Sequence, residues 1–453
     1  MLRCSAQNGY IWCLFMGSVV EYLLAIGYTV LFLWVIHRMG FFRRSGISFR
    51  WLAGIFILKI AAGVLLSLVY TFYYPDRATA DVFRFFDDGK VMYEALKDTP
   101  QDYFQMLFGV DNDNAYFSEQ YYQRMNSWIR TYETNLYNDS HTLVRFNALI
   151  HLLSFGFFQV HTVVMCFLSL LGLTALYRSF SGWMADRKPA LLLGVFALPS
   201  VVFRGSGVLK EGLLFFGFGL LVYGALRLIE TKHWKYLPLA LLGGGTLLIL
   251  KFYILLALIP GLIAYGGYTM IKRGRPWMVY ALTYLGLTVL VLLFNSAFPQ
   301  YDIFILLARK QLDFFGHAQL TQSGSLLEAT TLAPNLWGLV RNAPEALYFS
   351  WLRPLPWEAN SPLMWPNIVE NLLLLGLAIW GTVHLRKLSR TAQNQWLFLG
   401  SFFVLLFLLV GWTTPVMGAI VRYKVPALPF YALFFLMLVR KERLPKMLQS
   451  SLS

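Results

Sequence analysis

The stretch FRFFDDGKVMYEALKD sets Asp87, Asp88 and Glu94 among Phe83, Phe85, Phe86 and Tyr93, with Asp81 just before it. Side-by-side carboxylates repel one another. The repulsion either raises the proton affinity of one of them, which suits acid–base work, or is relieved by a divalent cation such as Mg or Mn on Asp87 and Asp88. A general base needs a carboxylate held in a sheltered place, which a membrane boundary supplies. Helix capping within a solvated acidic loop is the plainer use of the same residues.

Two basic motifs complement the acids. In FRGSGVLKEGLLFF, Arg204, Lys210 and Glu211 flank a Gly-Ser-Gly that lets backbone approach a ligand, and the helix that follows presents its N-terminus. Both features suit a phosphate, and a Lys210–Glu211 pair is the structural alternative. In TTPVMGAIVRYKVPALPFY, Arg422 and Lys424 bracket Tyr423 ahead of Pro426 and Pro429. Strand-like spacing would put both cations on one side, as a fork for a phosphate or diphosphate. An interfacial anchor touching lipid headgroups is the alternative. Lys251, between two apolar runs, is a further cation at a span end.

The elements that must position these residues are membrane helices. Of 453 residues, 57% are apolar and 13% charged, far below the roughly 25% charged of a soluble domain. Mean hydropathy is +0.56. Apolar runs recur along the whole length, which predicts an all-α, polytopic helical membrane protein. About eleven transmembrane helices are expected, near 11–36, 52–74, 159–178, 189–203, 211–229, 236–250, 252–270, 277–297, 367–385, 395–412 and 425–439. The three cysteines (Cys4, Cys13, Cys166) show no CxxC spacing and no paired framework.

Charge distribution orients the spans. Six short segments between alternate spans hold 20 of the 38 Lys and Arg residues but only three of the 23 acids, Asp186, Glu230 and Glu442. Such a bias marks the cytoplasmic face. The net charge of +15 is then a topology signal, and nucleic-acid binding is not expected. The chain reads as one membrane domain, 1–453, of a bacterial inner membrane, with an N-terminal helix at 11–36. An acidic, helical loop at 76–159 and an aromatic, Pro-rich loop at 299–366 fall on the outer (periplasmic) side, both with amphipathic helices. The apolar periodicity of 141–158 around Arg145, Asn147 and His151 fits a helix lying on the membrane. The lone histidines His151 and His161 read as structural rather than as ligands. The outer-face charges, Asp81, Asp87 and Asp88 against Arg204, Lys210, Arg422 and Lys424, are expected to meet in one cavity, since charges so near hydrocarbon need partners or water.

With many spans, an acidic FFDDGKVMY in the first large loop and a late RYKVPALPF, the chain resembles the GT-C class of membrane glycosyltransferases. The late segment is similar to that of the protein mannosyltransferase and aminoarabinose transferase relatives. The resemblance runs from about residue 52 to 439 and makes the first span an addition. It implies transfer of a sugar from a polyprenyl-phosphate donor to an acceptor at the outer face. Asp87 or Asp88, with Asp81 nearby, would then be the base. Arg422 with Lys424, or Arg204 with Lys210, would bind the donor phosphate, supported by Glu211, Tyr423 and Lys251. The Asp-Asp here, where those relatives have Asp-Glu, leaves the choice of base open. An O-antigen ligase or polymerase-like enzyme using undecaprenyl-diphosphate glycans fits the cations equally well and the acidic loop less well. A transporter would put ionisable residues at mid-bilayer, where Glu21 and Lys59 are the candidates. A scaffold with an envelope partner protein is the remaining class.

Overall fold

The computed structural model describes residues 7–72, 77–78, 80–129, 139–321, 323–359 and 361–449, with side chains from residue 19 onward. Cys4 and the expected loop boundary at Asp76 lie outside the described residues. The described residues form helices and no strand, apart from single β-bridges at Leu326–Val416 and Leu385–Val439. The protein is an all-α helical membrane protein. Nine helices among the described residues are long and apolar enough to cross a bilayer.

In chain order the main helices are α1 (Gln7–Arg38), α2 (Phe49–Phe72), α3 (Asp81–Asp98), α4 (Pro100–Phe108), α5 (Asp139–Ser154), α6 (Phe158–Phe180), α7 (Lys188–Phe196), α8 (Lys210–Thr231) and α9 (Leu237–Leu250). Then come α10 (Phe252–Ile271), α11 (Pro276–Ala297), α12 (Ile303–Leu320), α13 (Leu336–Leu347), α14 (Trp365–Val383), α15 (Arg390–Thr413), α16 (Met417–Tyr423) and α17 (Leu428–Leu438). Two of the expected spans are shorter helices. The one near 189–203 breaks into the nine residues of α7 and a separate Pro199–Arg204, because a residue before proline is forced out of the helical region. The one near 236–250 is α9, whose 14 residues rise about 21 Å, short of a hydrocarbon core of about 30 Å. It ends where Lys251 leaves helical backbone at φ −153°.

The chain divides into two compact units. Unit 1 comprises Met1–Thr131, Tyr137–Thr174 and Val202–Phe216; unit 2 comprises Tyr132–Leu136, Ala175–Val201 and Gly217–Ser453. Unit 1 joins membrane helices to a layer made of α3, α4 and α5. That layer is cored by Val82, Phe83, Phe85, Phe86, Met92, Tyr103, Leu143 and Val144, all buried. The α3–α5 crossing is close because position 89 is glycine: a Cβ there would stand 2.8 Å from Asn147 Cβ and 2.9 Å from the Ala148 nitrogen. The layer is tied by hydrogen bonds from Tyr103 OH to the Ala148 carbonyl (3.2 Å) and from Arg145 Nε to the Met106 carbonyl (2.9 Å).

Unit 2 packs through small residues and aromatic rings. A Cβ at Gly224 would meet Ala240 Cα at 3.0 Å, so α8 and α9 touch backbone to backbone, a common way for membrane helices to associate. Phe218, Phe398, Phe402 and Phe430 form a buried ring cluster. Arg187, fully buried, donates from one guanidinium nitrogen to the carbonyls of Leu436 (2.9 Å) and Val439 (2.8 Å) at the end of α17. Its other face pairs with Asp186 at 2.9 Å, and that hydrogen bond holds the Asp186 carboxyl below the usual range. A cation there satisfies carbonyls that the helix end leaves open.

Candidate functional site

The three carboxylates expected to do chemistry lie on α3 in unit 1, and their surroundings separate them. Asp88 is completely buried. Its Oδ1 accepts from the Asn126 amide (2.8 Å), and its Oδ2 accepts from the Ser127 amide (2.8 Å) and the Ser127 hydroxyl. It is a staple that fastens the 126–127 turn to α3. Burial pushes its carboxyl above the usual range, against the hydrogen bonds of Ser127 and Asn126. Asp81 opens α3 and pairs with Arg84 one turn on, at 2.5 Å.

Asp87 remains partly open, its side chain 30% exposed. Arg77 grips it through two bonds of 2.8 Å while lying over the Phe83 ring at 4.2 Å. Neighbouring residues on a helix point about 100° apart, so Asp87 and Asp88 turn into different environments. Each of their four oxygens already accepts a protein hydrogen bond. The pair therefore does not form a shared cradle for Mg or Mn. Among the described residues no group of three His, Cys, Asp or Glu could hold a metal.

Behind this face, His151 is buried, with Nε2 3.0 Å from the Phe86 carbonyl and its ring stacked on Tyr93. Burial lowers its pKa from 6.5 to about 4. His161 is also buried, bonded to Asn147 and Ser154 at 2.8 Å each. Both histidines serve packing.

The Arg204–Glu211 turn, also in unit 1, is a packed connection. Gly205, Ser206 and Gly207 are buried, and the Ser206 carbonyl accepts from the Cys166 thiol at 3.3 Å. A Cβ at Gly207 would stand 2.4 Å from the Leu66 side chain, and one at Gly63 would stand 2.4 Å from the Ser206 carbonyl oxygen, so the turn packs closely on α2. Lys210, 6% exposed, pairs with Asp139 at 2.9 Å and donates to the Ser140 hydroxyl at 3.3 Å, so it ties α8 to the first turn of α5. The acid beside it, Glu211, is buried as well, and Arg204 is half-buried.

In unit 2 the late motif departs from the strand-like expectation. Residues Met417–Tyr423 are helical, which turns residues two apart about 200° from one another. Arg422 and Lys424 thus do not form a fork. Arg422 is half-buried, whereas Lys424 is 4% exposed with its ammonium turned inward. It donates to the carbonyls of Ser350 (3.1 Å) and Arg353 (3.0 Å) and to Asn371 Oδ1 (3.2 Å), which uses all three of its donors.

A different cation takes the place expected of Lys424. Lys251, where α9 ends, stands over the Tyr423 ring at 5.0 Å. Tyr253 and Phe314 wall the same ring at 5.9 and 6.0 Å, and Lys310 lies 5.4 Å over Phe314. Lys251, Lys310, Arg422, Tyr423 and Phe314 are all half-buried. The end of α9, the middle of α12 and the end of α16 thereby build one basic, aromatic cluster around Tyr423. Lys310 and Phe314 were not expected from sequence; their i, i+4 spacing on an amphipathic helix was the available signal.

Two further acids of unit 2, one buried and one half-buried, were not expected from sequence. Glu370 on α14 is 4% exposed and accepts from the Ser200 amide (2.9 Å) and hydroxyl, holding the start of Pro199–Arg204. Glu358 pairs with Arg353, which lies over the Tyr348 and Phe349 rings at the edge of a cavity of about 460 Å³. A carboxylate inside a span was the sequence signal for Glu370.

The carboxylates of α3 belong to unit 1 and the Lys251 cluster to unit 2. No family model, curated protein or solved structure matches the chain.

Proposed function

We propose that the protein is a lipid-linked glycosyltransferase of the GT-C type, moving a sugar from a polyprenyl-phosphate donor to an acceptor at the outer, periplasmic face of a bacterial inner membrane. The observation that carries this reading is the Lys251–Tyr423 cluster. Lys251 and Lys310, both half-buried, stand over the Tyr423 and Phe314 rings, and the half-buried Arg422 is the chain neighbour of Tyr423. A polyprenyl-phosphate sugar presents a phosphodiester anion to such cations and an apolar tail to the helices, and the phosphate gains a second negative charge as the bond to the sugar breaks. Arg422 suits a bidentate grip, and its charge persists at any working pH. Lys251 and Lys310 add point charges that stabilise the phosphate as it leaves.

In unit 1 the carboxylate best suited to take the acceptor's proton is Asp87. Arg77 fixes its orientation, and part of it is open to solvent. Asp88 holds the loop beside it. A base of this kind contributes about 10²–10⁴-fold.

The test is turnover of a radiolabelled polyprenyl-phosphate sugar by purified protein in lipid nanodiscs, with a diphosphate-linked glycan as the competing donor. Transfer from the monophosphate donor, weakened by Arg422→Ala and Lys251→Ala through donor affinity, is expected. Transfer from the diphosphate-linked glycan alone favours the ligase or polymerase alternative. Transfer from neither donor, with full lipid binding retained, refutes the enzymatic reading.

A further inference from the structure

The strongest physical anomaly lies inside the membrane part of unit 1. Helices α2 and α6 run antiparallel there in a fixed register. Gly63 faces Thr162, whose methyl sits where a Cβ would go, and Ser67 accepts a 3.4 Å bond from Gln159 Nε2. Pairing residue 63 with 162 and 67 with 159 puts Lys59 one turn further in, level with Cys166, with which it interacts electrostatically.

The α6 side of this interface is polar. Gln159, Thr162, Cys166 and Ser169 recur at spacings of three or four and so share one face. Lys59, Thr162, Cys166 and Ser169 are 1% exposed or less. Among the described residues, Lys59 Nζ, Gln159 Oε1, Thr162 Oγ1 and Ser169 Oγ have no hydrogen-bond partner. A buried polar atom without a partner is costly, and an ammonium in hydrocarbon more so.

The unmet atoms identify what meets them. Lys59 Nζ can only donate when charged, and the Gln159 carbonyl oxygen can only accept. An anion would satisfy the first and leave the second; a cation would do the reverse. Water serves both, and the two hydroxyls besides. We propose that this face holds a file of bound water running from Gln159 to Lys59, and that Lys59 is a proton-binding group in the membrane interior. From Gln159 to the level of Lys59 and Cys166 the file covers about 10 Å of helix, a third of a hydrocarbon core, with Ser169 one turn beyond. A carboxylate stands at its mouth: Glu21 of α1, half-buried, accepts from the Gln159 amide at 2.8 Å. The titratable groups along the path are thus Glu21 at the entrance and Cys166 beside Lys59. Proton uptake makes one N–H bond at the Nζ lone pair, the proton arriving from solvent through the waters.

The experiment uses the full chain in nanodiscs. A millisecond X-ray pulse turns bound water into hydroxyl radicals, which oxidise adjacent side chains, and the Cys166 sulfur is the reporter, read by mass spectrometry. Cys166 is expected to be oxidised within tenfold of an exposed methionine, while N-ethylmaleimide in bulk solvent leaves it unmodified. In Lys59→Met the seam dries and oxidation falls at least fivefold; in Lys59→Gln it persists. Where Lys59→Met does not fold, Gln159→Leu replaces it. An unoxidised Cys166 in the native protein, or oxidation in Lys59→Met (or in Gln159→Leu where it stands in) equal to that of the native protein, overturns the hydrated seam. The proton-binding role is read from ¹⁵N-lysine NMR, as a resonance absent in Lys59→Gln that moves between about pH 5 and about pH 10. A Lys59 resonance fixed across that range overturns it.

Discussion

Replacing Asp88 separates a staple from a catalyst. In Asp88→Ala three donors lose their acceptor at once: the amides of Asn126 and Ser127 and the Ser127 hydroxyl. Each unmet buried donor costs about 1–3 kcal/mol. Relief from burying a carboxylate offsets part of this, which leaves about 3–5 kcal/mol. Asp88→Asn keeps one acceptor oxygen and turns an NH₂ toward the other donors, for about 1–2 kcal/mol. The assay is hydrogen exchange of a peptide covering residues 120–129, read by mass spectrometry. Since 1.4 kcal/mol is tenfold, exchange at Asn126 and Ser127 should quicken about 100-fold or more in Asp88→Ala and about tenfold in Asp88→Asn. Asp87→Asn should leave this peptide protected, because the Arg77–Asp87 pair is partly exposed and worth under about 1 kcal/mol. Turnover should divide the other way, with Asp87→Asn losing about 10²–10⁴-fold and Asp88→Asn keeping its rate per folded molecule. Unchanged exchange in Asp88→Ala, or a dead Asp88→Asn with its peptide still protected, would refute the reasoning.

Other expectations follow from the same contacts. Lys424→Met strands the Ser350 and Arg353 carbonyls and Asn371 Oδ1, so the protein should lose about 2–4 kcal/mol in thermal unfolding while farnesyl-phosphate binding survives in the folded fraction. Arg422→Ala and Lys251→Ala should do the opposite, weakening that binding about tenfold or more by titration with little change in unfolding. His151 must charge on unfolding in acid. Its folded pKa of about 4 lies below the ordinary 6.5, so stability is whole above about pH 6.5 and is lost as pH falls toward about 4. At 1.36 kcal/mol per pH unit the loss is about 3 kcal/mol, and His151→Gln should flatten that part of a stability-against-pH curve. Impermeant thiol reagents should label Glu119→Cys and Glu328→Cys from outside and Lys235→Cys only after permeabilisation; the reverse pattern would invert the topology.

Composition and apolar run length were enough to declare a helical membrane protein, because a bilayer leaves the backbone few alternatives. The spacing of Pro199 after a short apolar run carried the break at α7 as well, although the run by itself read as a span. What the chain order could not convey is which side chains are already spent. Asp87 and Asp88 are neighbours in sequence, yet the helix sends one to Arg77 and the other to a turn nearly forty residues away. Arg422 and Lys424 look like a fork until helical geometry turns them about 200° apart and Ser350, Arg353 and Asn371 take up the lysine. Lys251 and Phe314 meet Tyr423 across large sequence separations that only packing closes. Hydropathy depends on residue type alone and survives in one dimension. The role of a charge depends on the acceptor, ring or carboxylate within a few ångströms of it, and those neighbours are chosen by the tertiary fold.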